Sequence, residues 1–220
     1  MSQKKTAITT KTMVIVAIMT ALVVVLQLMG SFIRFGMFSI SLVLVPILIG
    51  AAVCGAGAGA WLGFAFSMAV LLSGDAAAFL AVNPFGTILT VLLKGTLAGL
   101  GAGIIYRQLS KVCVSRAEKR TPSKKKWVNS VVSWVLKYIP IVTAAIACPV
   151  INTGVFLAGC RVFFFATIAE WGAGLGFANA AEYMFIGLAG MNFIVELVTN
   201  VVLVPVIVRL LSINEKIFKF

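Results

Sequence analysis

Two ionisable side chains, Lys94 and Glu196, lie inside long apolar stretches of this sequence. A charged group within a bilayer is costly unless it is paired or faces a cavity, so each is a functional candidate. Thr87 and Thr90 precede Lys94 at the spacing that puts all three on one face of a helix. Asn192 precedes Glu196 by four residues, and this spacing predicts a second polar face.

A third apolar stretch contributes Asn152 and Thr153, which follow Pro149. The backbone groups that a proline releases can line a cavity. Polar groups from three helices would then face one region, and two interpretations follow. One is an outward-facing pocket for a small polar or anionic molecule, with Lys94 as its counter-charge. The other is an ion pair between Lys94 and Glu196 that only fixes helix packing.

The composition excludes most other chemistry. Of 220 residues, 61% are hydrophobic and 11% charged, which is far below the charge content of a soluble domain. The sequence contains no histidine and no nucleotide-binding GxxxxGK[ST] motif, and its four cysteines show no CxxC spacing. We therefore expect a protein that is not an enzyme and has no cofactor, metal site or disulfide, so any ATP hydrolysis must occur in a partner.

Apolar periodicity predicts an all-α membrane protein, a bundle of six transmembrane helices. The predicted spans are 13–29, 38–54, 60–72, 85–106, 131–158 and 183–208. Segment 155–169 could instead form a short helix or a re-entrant segment. Pro140 and Pro149 predict that the fifth span is tilted, kinked or split.

Basic residues concentrate before the first span, between the fourth and fifth spans, and after the sixth. The positive-inside rule therefore puts both termini in the cytoplasm. This predicts a cytoplasmic segment 1–12, a membrane domain 13–210 with a basic cytoplasmic loop 107–127, and a tail 211–220. The net charge of +12 then reflects contact with lipid headgroups of the cell membrane, not nucleic acid.

Small residues recur at helical spacing. Gly95, Gly99 and Gly103 form a GxxxGxxxG pattern in the fourth span, which is typical of close helix packing. Ala17 and Ala21 form an AxxxA step in the first span, which could be internal packing or a docking face.

Taken together, the chain resembles the substrate-binding S component of an energy-coupling factor (ECF) vitamin transporter over nearly its whole length. The features that carry the resemblance follow one another in the family's order. They are Ala17 with Ala21, Ile33-Arg34-Phe35-Gly36, Leu44-Val45-Pro46-Ile47-Leu48-Ile49-Gly50, Trp61-Leu62-Gly63, Asn83-Pro84-Phe85-Gly86, Lys94-Gly95, Ala98-Gly99, Asn152-Thr153-Gly154, and Asn192 with Glu196.

The resemblance implies a subunit that binds one vitamin or related micronutrient and assembles with a transmembrane coupling subunit and two ATPase subunits. Ala17 and Ala21 would contact the coupling subunit. Outer loops would close over the substrate, which adds Arg34 and Phe35 to the candidate binding residues. The pattern around Val45-Pro46 and Asn152-Thr153 is closest to pantothenate- and folate-type members.

Two other functions remain open from the residues alone. The chain could be a stand-alone secondary transporter that uses Lys94 and Glu196 as an ion relay. It could also be a membrane scaffold protein without a substrate.

Overall fold

The computed structural model describes residues 10–32, 34–35, 38–39, 42–120 and 125–209. In these residues the chain is mostly helical, with connecting turns and a small hairpin in which β1 (Arg34–Phe35) pairs antiparallel with β2 (Phe38–Ser39). The helices are α1 (Thr10–Gly30), α2 (Leu44–Cys54), α3 (Ala56–Leu72), α4 (Ala77–Val82), α5 (Pro84–Glu118), α6 (Lys126–Phe163), α7 (Phe165–Gly174), α8 (Ala180–Glu182), a π-helix (Tyr183–Gly190) and α9 (Met191–Val202). Residues 204–209 are also helical.

Four helical segments of the described chain are long and apolar enough to cross a membrane: α1, α5, α6 and the continuous run Ala180–Val202. The prediction of an all-α membrane protein is therefore confirmed. The apolar helices α2 and α3 have only 11 and 17 residues, so α2 extends about 17 Å. Neither is long enough to be counted as a span by itself, so the six-span count and the cytoplasmic termini stay predictions.

Several predicted boundaries differ from the observed ones. Residues 107–118, predicted to lie in a loop, continue α5, because no proline or glycine interrupts the sequence there and basic residues are good helix formers. The fifth span is one continuous helix through Pro140 and Pro149, not two, and it runs on to Phe163. Phe164 ends it with a non-helical backbone, and α7 follows, so segment 155–169 contains the end of one helix and the start of another.

The start of α5 follows directly from the local sequence. Asn83 is the N-cap, and its side-chain oxygen accepts a hydrogen bond of 2.9 Å from the amide of Gly86. Pro84 occupies the first helical position, where its fixed φ angle suits a helix and its missing amide costs nothing. This cap fixes where the face carrying Thr87, Thr90 and Lys94 begins.

Glycines bring α3 and α5 into direct backbone contact. A Cβ atom added at Gly63 would overlap the carbonyl of Gly95, and one added at Gly99 would overlap that of Gly59. Ser67 strengthens the same crossing, because its hydroxyl lies 2.7 Å from the carbonyl oxygen of Val91. The GxxxG pattern therefore serves internal packing, as small residues commonly do between membrane helices.

Two apolar clusters make up the core. One lies among α2, α3, α5 and α6 and includes Ile47, Leu62 and Ala98. The other surrounds Phe79 of α4 and joins the end of α6, α7 and the π-helix. The candidate site described below is lined by members of both clusters, so it lies where they meet.

We expect Gly63→Ala to lower the thermal unfolding midpoint in detergent, because the new methyl group forces α3 away from α5. Overpacking of this kind costs about 1–3 kcal/mol. Gly154→Ala is the matched control, since a Cβ there meets nothing within 4 Å. Equal midpoints for the two variants would contradict close contact between α3 and α5.

Candidate functional site

A cavity lies among side chains from α1, α3, α4, α5, α6 and α9. The volume within which the centre of a water molecule can lie is about 50 Å³. This is room for a few waters, so a larger ligand requires the lining side chains to move. The cavity is lined by Gln27, Phe66, Val70, Asp75, Ala76, Phe79, Thr87, Thr90, Val91, Lys94, Phe156, Cys160, Phe164, Asn192 and Glu196.

The ammonium group of Lys94 lies between aromatic faces. Its Nζ is 5.8 Å from the ring centroid of Phe66 and 5.4 Å from that of Phe156, within the range of cation–π attraction. Within the described residues it forms no hydrogen bond and no ion pair, including none with Glu196. All three of its N–H donors are therefore available to a ligand or to water.

The carboxylate of Glu196 is held by neutral amides. Asn192 donates from Nδ2 to Oε1 at 3.1 Å, and Asn152 donates from Nδ2 to Oε2 at 3.3 Å. Glu196 is 2% exposed, so these bonds partly offset the cost of burying a carboxylate. The geometry thus favours the pocket interpretation over a direct Lys94–Glu196 ion pair.

Further polar atoms in this region have no hydrogen-bond partner. They are the hydroxyl of Thr90 and the side-chain carbonyl oxygens of Asn152 and Asn192. Buried polar groups are normally satisfied, so unsatisfied ones indicate a place for water or a ligand. Together with the Lys94 ammonium, they offer both donors and acceptors to one small molecule.

The structure brings most of the predicted binding residues together. Thr87, Thr90, Lys94, Asn192 and Glu196 line the cavity. Asn152 and Thr153 line a smaller adjoining recess that shares Lys94 and Asn192 with it. The side chains of Arg34 and Phe35 lie outside the described part of the chain, so their predicted role stays a prediction.

Residue types and spacing did not predict a polar contact on the α1 side of the cavity. Gln27 donates from Nε2 to Oδ2 of Asp75 at 2.7 Å, and both residues line the cavity. Gln27 is 2% exposed. Gln27 carries a polar amide within the predicted first span. A polar group inside a membrane span is a functional candidate, as Lys94 is, so the sequence did contain a signal for this residue.

Aromatic residues form another wall beside the polar groups. Phe79 makes edge-to-face contacts with Phe156, Phe164 and Trp171, with centroid distances of 5.9, 5.1 and 5.5 Å. Such packing holds these rings together beside the polar groups. Phe85 is 71% exposed and does not line the cavity.

A separate groove lies on the surface between α1 and α3. Ala17 and Ala21 are exposed and line it together with Trp61, whose indole donates to Thr20 Oγ1 at 3.2 Å. The remaining lining residues are Thr12, Met13, Val16, Cys54, Gly57 and Ala58. The AxxxA step is therefore not buried against another described helix.

The chain matches a known protein family. A family model described as ECF transporter, substrate-specific component matches residues 11–208. The match spans every cavity residue and the whole α1–α3 groove. Searches of the curated proteins and of the solved structures give no match.

Double-mutant cycles distinguish a hydrogen bond between Asn192 and Glu196 from an ion pair between Lys94 and Glu196. We expect Asn192→Leu and Glu196→Leu to show a coupling of about 1.5–3 kcal/mol, the usual strength of a hydrogen bond to a charged group. Lys94→Met and Glu196→Leu should show a smaller coupling, because no direct contact joins them. The measurement is thermal unfolding in detergent, and the opposite order would support the ion-pair interpretation.

Proposed function

The chain belongs to the family of substrate-specific components of ECF transporters, and we propose that its cavity captures a vitamin or related micronutrient from outside the cell for ATP-driven uptake. The observation that carries this proposal is the set of unpaired polar groups around the cavity. An ammonium and three side-chain oxygens without partners are arranged for a ligand that supplies the missing partners.

The charges of the lining residues indicate the class of ligand. Among the described residues that line the cavity, Lys94 is the one cation, and Asp75 and Glu196 are the two carboxylates. A ligand with one carboxylate can pair with Lys94 and direct hydroxyl or amide donors at the oxygens of Thr90 and Asn192. A second ligand carboxylate would meet Asp75 or Glu196 at close range. Of the two types suggested by the sequence, this favours pantothenate over folate.

The partners follow from what the chain lacks. The sequence has no nucleotide-binding motif, so the energy for uphill import comes from an ion gradient or from another protein. Membership of the ECF family favours the second source, with two ATPase subunits acting through a coupling subunit. The groove around Ala17 and Ala21 is apolar and faces outwards from the bundle, and small residues there allow a partner helix to approach closely. We place this assembly in the cell membrane.

A ligand panel tests the proposal directly. We expect pantothenate to raise the thermal unfolding midpoint of the purified protein in detergent and folate to leave it unchanged. If no water-soluble vitamin changes the midpoint, the proposed binding function is wrong. Uptake by this chain alone in proteoliposomes, abolished by a protonophore, would instead support an ion-coupled secondary transporter.

Lys94→Met should weaken binding of the ligand found in that panel by about 10- to 150-fold, as expected for loss of a charged hydrogen bond. The control is Arg161→Met. Arg161 is exposed, its guanidinium lies 4.1 Å from the ring centroid of Phe165, and it does not line the cavity. Titration calorimetry measures both affinities, and equal losses would remove Lys94 from the site.

Replacing Ala17 and Ala21 together with tryptophan should abolish co-purification with a co-expressed coupling subunit while ligand affinity is kept. The matched control replaces Ile18 and Val25, which are 59% and 49% exposed on α1 but do not line the groove. Normal assembly of the Ala17/Ala21 variant, or equal loss in the control, would rule out the proposed interface.

A further inference from the structure

A second groove lies between α5 and α6, far along both helices from the ligand cavity. Its walls include Ser110 and Val114 of α5 and Lys137 and Ile141 of α6. About 320 Å³ of it can be occupied by the centres of water molecules, which is several times the corresponding space of the ligand cavity. Neither the proposed ligand site nor the α1–α3 groove uses any of these residues.

The groove lies at the depth of the lipid headgroups. From Pro84 to Ser110, α5 rises about 39 Å, which exceeds the hydrocarbon thickness of about 30 Å. On α6, Trp134 stacks on Tyr138 with a centroid distance of 4.5 Å. Trp and Tyr are enriched at membrane interfaces, and this pair flanks Lys137 in the sequence.

The groove combines apolar and polar walls. Val114 of α5 lines it and is 57% exposed, so it offers an apolar surface. Lys137 of α6 is exposed, and Ser110 lies about one helical turn from Val114 on α5. An apolar surface beside a lysine and a hydroxyl suits a phospholipid, which presents an acyl chain and a phosphate.

The surrounding charge is strongly positive. Arg107, Lys111 and Arg116 are exposed on the same stretch of α5, where Glu118 is the one acidic residue. Arg107 precedes Ser110 and Val114 by three and seven residues, so it shares their helical face. On α6, residues 126–145 contain no acidic residue. This charge complements an anionic headgroup and not a zwitterionic one.

We propose that the α5–α6 groove binds one anionic phospholipid, with the phosphate at Lys137 and the Ser110 hydroxyl and an acyl chain against Val114. The site would hold the extended ends of α5 and α6 at the membrane surface. This proposal does not depend on the identity of the transported ligand.

Native mass spectrometry of the full-length protein tests the proposal, with phosphatidylglycerol or phosphatidylcholine added to the detergent. We expect one retained phosphatidylglycerol and no retained phosphatidylcholine. Lys137→Gln should lower the retention affinity about fivefold, the effect of one basic residue at a membrane surface. Lys111→Gln is the control, because Lys111 is exposed nearby but does not line the groove.

A steric pair of variants tests the groove without changing its charge. Val114→Trp should block the groove and lower phosphatidylglycerol retention, whereas Val112→Trp should not. Both valines are exposed on α5, and of the two Val114 alone lines the groove.

Equal losses in Lys137→Gln and Lys111→Gln would show diffuse surface attraction and overturn the site. Equal retention of the two lipids would overturn the assignment to an anionic headgroup. Absence of any retained lipid would show that the groove is occupied by protein, from this chain or a partner subunit, and would also overturn it.

Discussion

Lys94 and Glu196 line the same buried cavity without pairing with each other. Two asparagine amides hold the carboxylate, and the ammonium lies over two phenylalanine rings. Each charge is thus stabilised separately, at a cost that direct pairing would have reduced. A bundle that keeps an ammonium unpaired in this way retains a positive charge that an incoming anionic group can neutralise.

The rest of the fold maintains this arrangement. Glycine contacts fix α5 against α3, so the face that carries Thr90 and Lys94 has a firm support. Asn152 of α6 and Asn192 of α9 reach the same carboxylate, which joins two further helices at the cavity. The opposite wall is made of rings around Phe79 on the six-residue helix α4, and these rings contact one another edge to face. Backbone contact and amide hydrogen bonds thus hold one wall, and ring packing contributes to the other.

Local sequence patterns predicted which residues line this site better than they predicted the contacts between those residues. Helical spacing was enough to put Thr87, Thr90 and Lys94 on one face and Asn192 with Glu196 on another. It could not pair Gln27 with Asp75, which lie 48 residues apart, because that contact depends on how α1 packs against the α3–α4 turn. Nor could hydropathy place the ends of α5 and α6, since polar helical turns continue beyond the apolar spans.

Accessibility of Thr90 to an anionic thiol reagent is the most direct test of a cavity that admits an anion from outside to reach Lys94. The measurement compares Thr90→Cys with Leu97→Cys, an exposed apolar position on α5, in a background without the four native cysteines. A membrane-impermeant sulfonate reagent added from outside should modify Thr90→Cys faster than Leu97→Cys, because movement of the lining side chains admits an anion to Thr90 but not to Leu97. If Thr90→Cys is as slow as Leu97→Cys, then the polar groups do not face a cavity that an anion can enter.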